Sequence, residues 1–208
     1  MRYDSPDYEW KAFFEGNPIQ KWWKRSIAEA VWTLVGTPSC LLDVGCGSSP
    51  IISAFRNAVG IDTNAGKLVF MKEKCPNNSF IEASGDELPF ANDSFDHVLC
   101  IEVIEHVDDP SAFFKEFNRV LKLGGVLIVA TPNYGSITWL VIEKLYGVFM
   151  PGGYKIDHYN ALNKAQIVRL GHTNGFLLGR TKMVALCDMV VEFTKAKPTR
   201  SVLSVGSR

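Results

Sequence analysis

Two stretches of this chain carry residue types at spacings that could do chemistry. The first is Leu41-Leu42-Asp43-Val44-Gly45-Cys46-Gly47-Ser48-Ser49-Pro50, an apolar run that ends on a carboxylate and turns through two glycines. Glycine at such a turn supplies positive φ and a bare main chain that a ligand can touch. Ser48 or Ser49 can cap a following helix whose first position suits Pro50. The second stretch is Glu102-Val103-Ile104-Glu105-His106. On a helical turn its ionisable groups at i, i+3 and i+4 share one face, which would suit a proton-transfer cluster or a divalent ion.

A glycine loop between strand and helix first suggests a dinucleotide or a phosphate, because helix N-termini attract anions. Pro50 stands where a third glycine belongs, and Asp43 would set a negative charge beside a pyrophosphate. That carboxylate suits a ligand with a cationic end. Asp62 closes the next apolar run, Val59-Gly60-Ile61, where a carboxylate can accept from both hydroxyls of a ribose. An adenosine with a positively charged tail satisfies both acids.

These residues resemble the class I S-adenosylmethionine-dependent methyltransferases. The first motif of that family is an apolar pair followed by Asp-x-Gly-x-Gly, and its second strand ends on Asp or Glu. The resemblance continues through Leu88-Pro89-Phe90, Asp93-Ser94-Phe95-Asp96, Glu105-His106-Val107, Arg119-Val120-Leu121-Lys122, Gly124-Gly125 and Thr131-Pro132-Asn133, and spans roughly Ser39 to Asn133. It implies a Rossmann-like α/β fold, a seven-stranded, mostly parallel sheet with helices on both faces and a final antiparallel strand. It also implies an enzyme that methylates a small-molecule acceptor, with oxygen as the expected atom. S-adenosylmethionine would meet Asp43, Gly45, Cys46, Gly47, Ser49, Asp62, Thr63, Ser84, Gly85, Asp86 and Glu102. Relatives usually carry Asp where this chain has Ser84, so the adenine contact passes to Ser84, the Gly85 backbone or Asp86.

The second stretch is similar to a metal-binding segment of small-RNA 3′-end and ubiquinone-pathway O-methyltransferases. That likeness implies a divalent ion, Mg²⁺ or Mn²⁺, on Glu102, Glu105, His106 and His158, where it would lower the pKa of an acceptor hydroxyl. Without a metal, the same residues are the expected catalytic groups. His106 is then the general base, since an imidazole titrates near pH 6.5. His97 lies inside an apolar strand and His172 on a late helix face, both structural positions.

The elements that position these groups follow from periodicity. Ile19, Trp23, Ile27, Val31 and Leu34 repeat at helical spacing before Gly36 and Pro38 end the pattern. The segment 1–37 is therefore an N-terminal helical region, and it is a candidate lid in which Lys24 or Arg25 meets the cofactor's carboxylate. A short helix is expected over Ile51 to Arg56, a second over Lys67 to Lys74, and a third strand over Phe80 to Ala83. Phe95 to Ile101 is nearly all apolar, as a strand covered on both faces should be. Asp108-Asp109-Pro110 starts a helix with Phe113, Phe114, Phe117, Val120 and Leu121 on one face, and Gly124-Gly125 precedes a strand over Val126 to Ala130. Alternating strands and helices give a parallel sheet whose carboxyl ends carry the site. The apolar segment Tyr134 to Tyr159, broken by Pro151-Gly152-Gly153, is the expected substrate-side insertion. A helix over Asn163 to Leu170 and a closing strand pair, Leu177 to Leu186 with Val202 to Gly206, complete the chain.

With 208 residues and 47% hydrophobic content, one domain spanning 1–208 can bury its own core. Twenty-two basic side chains balance 22 acidic ones, so the electrostatic footprint of a non-specific nucleic-acid or membrane binder is missing. Five scattered cysteines fit reduced core thiols and a cytoplasmic protein, and no run in the sequence has the length of a membrane span. A monomer or homodimer is expected. Two other readings are set beside the small-molecule enzyme. A metal-assisted RNA 3′-end methyltransferase would show tight, salt-sensitive RNA binding, which the charge balance opposes. A non-catalytic S-adenosylmethionine-binding protein would have its acceptor pocket closed.

Overall fold

A computed structural model describes residues 5–139 and 160–197. Seven strands form one sheet: β1 Leu41–Val44, β2 Val59–Asp62, β3 Ser79–Glu82, β4 Phe95–Ile101, β5 Leu121–Pro132, β6 Phe176–Val184 and β7 Asp188–Lys195. Their order is β3-β2-β1-β4-β5-β7-β6. β1 to β5 are mutually parallel, and β7 runs antiparallel to both β5 and β6. The expected Rossmann-like α/β sheet is the one observed.

Side chains alternate across the sheet, so one strand feeds both faces. Leu41, Leu99, Ile128 and Ala130 enter the layer under α2, Pro18–Val35, and α3, Ala65–Lys74. Leu42, Val44, Val98 and Cys100 enter the opposite layer under α4, Pro110–Val120, and α5, Lys164–Thr173. Burial on both faces explains why β1 and β4 read as nearly unbroken apolar runs. A short helix α1, Tyr8–Phe14, precedes α2.

Helix starts follow the capping chemistry. Asn17, Asn64, Asp109 and Asn163 each accept from a main-chain N–H of the turn they open, and Asn163 forms a reciprocal capping box with Gln166. Ser49 caps a 3-10 turn, Pro50–Ala54, in place of the short α-helix expected over Ile51 to Arg56. β5 begins five residues earlier than the apolar run suggested, because Leu121 pairs with Phe95 before a register shift near Gly124, whose φ is +76°. The last strand among the described residues is Asp188–Lys195; the expected strand Val202 to Gly206 lies outside them. The expected strand over Leu177 to Leu186 is β6, Phe176–Val184, but its antiparallel partner among the described residues is Asp188–Lys195, in place of the expected Val202 to Gly206.

Four of the five cysteines are buried and all are free thiols. No helix among the described residues is long and apolar enough to cross a membrane.

The outer layer is packed with little slack. A Cβ added at Gly171 would stand 2.4 Å from the ring of Phe193, which is itself wedged against Phe114 and Phe176 with centroids 6.0 and 6.2 Å away. Gly171→Ala should therefore destabilise the fold by about 1 to 3 kcal/mol, the usual scale of overpacking. Chemical denaturation followed by circular dichroism would read this; a stability equal to the parent's would mean that α5 can slide off β7.

Candidate active site

The strand order reverses between β1 and β4, and the crevice outside their carboxyl ends is where such sheets bind ligands. A cleft of about 620 Å³, its open mouth included, lies there. One wall is Gly45, Cys46, Gly47, Ser49, Pro50 and Ile51 from the loop after β1. The other is Tyr8, Glu9 and Phe13 of α1 with Lys24 and Ile27 of α2, and Ile101 and Glu102 close it from β4.

The loop takes its shape from its sequence. Gly45 and Gly47 have φ of +70° and +50°, which side chains rarely adopt. A Cβ on Gly45 would meet the Val103 side chain at 2.4 Å. Asp62 fixes the loop: its Oδ2 accepts from the Gly47 N–H at 2.8 Å and its Oδ1 from the Asn64 N–H at 2.8 Å. Each of these oxygens keeps a lone pair for a further donor. Asp43 is 3% exposed beneath the loop. Burial, and then the charge of Asp62, push its carboxyl up to about 8.

Glu102 follows β4 with φ +57°, a left-handed conformation that costs a non-glycine residue about 1 to 3 kcal/mol and persists only where the surrounding structure holds it. Its main-chain N–H donates to Ala130 O at 2.8 Å, and its side chain lines the cleft. Oε1 of Glu102 is buried without a hydrogen-bond partner, and so is Oδ1 of Asp188. Burial raises the Glu102 carboxyl, and Lys24 partly offsets this. Asp188, at the start of β7, is fully buried; burial and then the charge of Glu102 push it up to about 8, although the Trp23 indole N–H donates to its Oδ2. Lys24 faces these acids. Burial opposes its charge, but Glu102, Tyr8, Asp188 and Glu9 together hold the ammonium above its ordinary value.

Of the sequence candidates, Gly45, Cys46, Gly47, Ser49 and Glu102 line the cleft. Asp43 lies under it, and Asp62 braces it. Thr63, Ser84 and Asp86 are exposed beyond β2 and β3, where the Ser84 hydroxyl donates to Asp86. Gly85 is buried between them, so tightly that a Cβ would stand 2.3 Å from Phe113.

The shared helical face of Glu102, Glu105 and His106 does not form. The turn is a 3-10 segment, Ile104–His106, and Glu102 sits ahead of it in left-handed geometry, so the three side chains are not stacked on one α-helical turn. Glu105 instead turns into the protein, 1% exposed, and accepts from the Thr131 hydroxyl at 3.0 Å. Burial and then the charge of Glu102 hold its carboxyl well above the usual range. His106 is half-buried and is not among the cleft-lining residues, while His158 lies outside the described residues. Among the described residues no three His, Cys, Asp or Glu side chains gather in a way that could hold a metal ion. The candidate insertion is described only to Trp139, which packs edge-on against Tyr134 and Trp23; its remainder, residues 140–159, lies outside the described residues. His97 contacts its neighbour Asp96 at 3.1 Å, the structural position expected of it.

Sequence reading missed Asp188 and Glu9. Neither sits in a motif, and each reaches the site only through the fold.

The family described as "Methyltransferase domain" matches residues 42–129. Demethylmenaquinone methyltransferase of Renibacterium salmoninarum is 33% identical over 130 residues, which are 59% of this chain and 54% of that protein. Ubiquinone biosynthesis O-methyltransferase of Azorhizobium caulinodans is 31% identical over 101 residues, 45% of this chain and 40% of that protein. The chain thus spans about half the length of the curated relatives it matches. In architecture it is similar to a solved S-adenosylmethionine-dependent methyltransferase, possible histamine N-methyltransferase, from Thermotoga maritima. The TM-score is 0.72 at 20% identity, over 90% of this chain and 95% of that one.

Proposed function

We propose that this chain, which carries a class I S-adenosylmethionine-dependent methyltransferase domain, transfers the methyl group of that cofactor to an oxygen of a small, partly apolar acceptor. The observation that carries the reading is the cleft itself, where bare glycine backbone, a buried acid and an ammonium meet at the carboxyl ends of β1 and β4. Its donor set fits the cofactor. Lys24 would pair the amino-acid carboxylate, and the acids Asp43 and Glu102 suit a cationic ligand. The lone pairs left on Asp62 suit ribose hydroxyls.

When bound, S-adenosylmethionine supplies an electrophilic methyl group whose transfer leaves a neutral thioether. The chain's own task is therefore positioning and proton removal. Positioning in a near-attack geometry can contribute about 7 to 11 kcal/mol. Tyr8, Phe13, Ile27, Ile51 and Ile101 give the cleft apolar walls that exclude water. Glu102, aimed into the cleft and lacking a partner for Oε1, is placed to take the proton that an acceptor hydroxyl loses. The similarity to ubiquinone biosynthesis O-methyltransferase is the support for oxygen as the acceptor atom, and the relatives also include a C-methyltransferase. The metal version of the site finds no support among the described side chains, and no step is assigned to an ion.

The test is a panel of phenols, catechols, quinols and amines incubated with purified protein, read by S-adenosylhomocysteine release and by mass spectrometry of the product. Methylated phenolic or quinol oxygen is the expected product. Methylation confined to carbon or nitrogen would overturn the oxygen assignment, and no calorimetric binding of S-adenosylmethionine would overturn the whole reading.

A further inference from the structure

Glu9 is a charged group at the cleft for which the proposed chemistry has no task. It belongs to α1, whose seven residues are too few for a stable helix on their own. The N-cap Asp7 makes no side-chain cap, so α1 keeps its form by docking. Its apolar contacts are Ala12 and Phe13, both buried, and Trp10, which meets Phe70 of α3 edge-on with ring centroids 5.9 Å apart.

Glu9 carries polar contacts from α1 to two other elements. One carboxylate oxygen lies 2.6 Å from the Lys67 ammonium on α3. The other accepts from the Ser48 main-chain N–H at 3.2 Å and from the Ser48 hydroxyl. The Glu9 N–H donates back to Ser48 Oγ at 3.2 Å. Ser48 is fully buried and Lys67 is 8% exposed, so the network is partly shielded from water, where charge-assisted bonds are strong. A Cβ on Gly47 would stand 3.3 Å from the Glu9 carboxyl carbon, so the glycine also makes room for this contact. Three elements distant in sequence are thus tied into one unit: α1, the glycine loop and α3. Tyr8, Glu9 and Phe13 form the wall of the cleft that faces that loop.

We propose that Glu9 is a latch that holds α1 against the glycine loop, so that the cofactor enters and its product leaves only when Glu9 releases Ser48 and Lys67. The proposal rests on the reading of the cleft as the S-adenosylmethionine site. Removing either charge of the Glu9–Lys67 pair takes away the ionic tie between α1 and α3, which favours opening of the whole contact. The apolar contacts of α1 remain in such variants, so the helix still returns to its place and the site stays intact.

Stopped-flow release of S-adenosylhomocysteine from the full chain tests this. Glu9→Gln and Lys67→Met should each raise the dissociation rate by at least about tenfold and raise the association rate as well. The double variant should be no faster than the quicker single one, because both changes break one tie. Asp7→Asn, which removes the exposed pair with Lys11 on the same helix, should change neither rate. Rates for Glu9→Gln and Lys67→Met within about twofold of the parent's would overturn the latch. Hydrogen exchange of the ligand-free chain gives a second readout. The α1 amides should exchange at least about tenfold faster in Lys67→Met, and unchanged protection would again overturn the proposal. Should the parent bind no S-adenosylhomocysteine, the cofactor reading fails while the exchange measurement still judges the latch.

Discussion

Asp43→Asn should make the free protein more stable and the loaded protein far weaker, two effects of one buried charge. Asp43 is 3% exposed, and burial with the neighbouring charge of Asp62 lifts its carboxyl from the ordinary 3.8 to about 8. Between those values the folded chain binds a proton that the unfolded chain has lost, so this group makes stability fall as pH rises from about 4 to about 8. Above that window the full cost of the buried charge is present. Asparagine is nearly isosteric and carries no charge. At pH 8 the variant should gain on the order of 2 kcal/mol, and the gain should shrink towards zero near pH 4. Cofactor binding should move the other way, losing about 1.5 to 3 kcal/mol, roughly 10- to 150-fold in Kd, the scale of a hydrogen bond to a charged group. Urea titrations across that pH range, with calorimetry at pH 8, check both arms. A variant less stable than the parent at pH 8, or one with unchanged affinity, would show that Asp43 is compensated in the free protein.

The halves of this site differed in how far sequence could reveal them, and the difference is one of range. Asp43, Gly45, Gly47 and Asp62 belong to strand ends and a tight turn, whose φ values and carboxylates are written in local residue types. The parallel sheet followed from alternating patterns, and the helix starts at Asp109 and Asn163 from side chains that can accept from the next turn. Asp62 exceeded its sequence role, because its grip on the Gly47 N–H needs β2 beside β1. Glu9 meets Ser48 across 39 positions, and Asp188 reaches Trp23 across 165. No periodicity encodes such contacts; they exist only once the sheet has brought β7 beside β5 and α1 over the loop. The Glu105 reading failed for a local reason. Spacing i, i+3 places groups on one face only if the backbone is helical throughout, and the left-handed φ of Glu102 breaks that condition at its first residue.

That same residue carries the largest expected loss of turnover. Glu102→Gln keeps size and hydrogen-bonding capacity but cannot accept a proton, so with the acceptor found by panel screening kcat should fall about 10²- to 10⁴-fold, the usual worth of a general base. Because the interaction is made as the proton moves, kcat/KM for the acceptor should fall by the same factor. The cofactor should still bind, since Asp43, Asp62 and the glycine loop are untouched. Removing the Glu102 charge leaves the buried Lys24 ammonium with less compensation, so the variant should be no more stable than the parent at neutral pH. His106→Gln is the comparison, because His106 is not among the residues lining the cleft, and its loss should reduce kcat by less than that of Glu102. The reverse order, with His106→Gln crippled and Glu102→Gln active, would move the proton to the imidazole and leave Glu102 as a residue that only shapes the cleft.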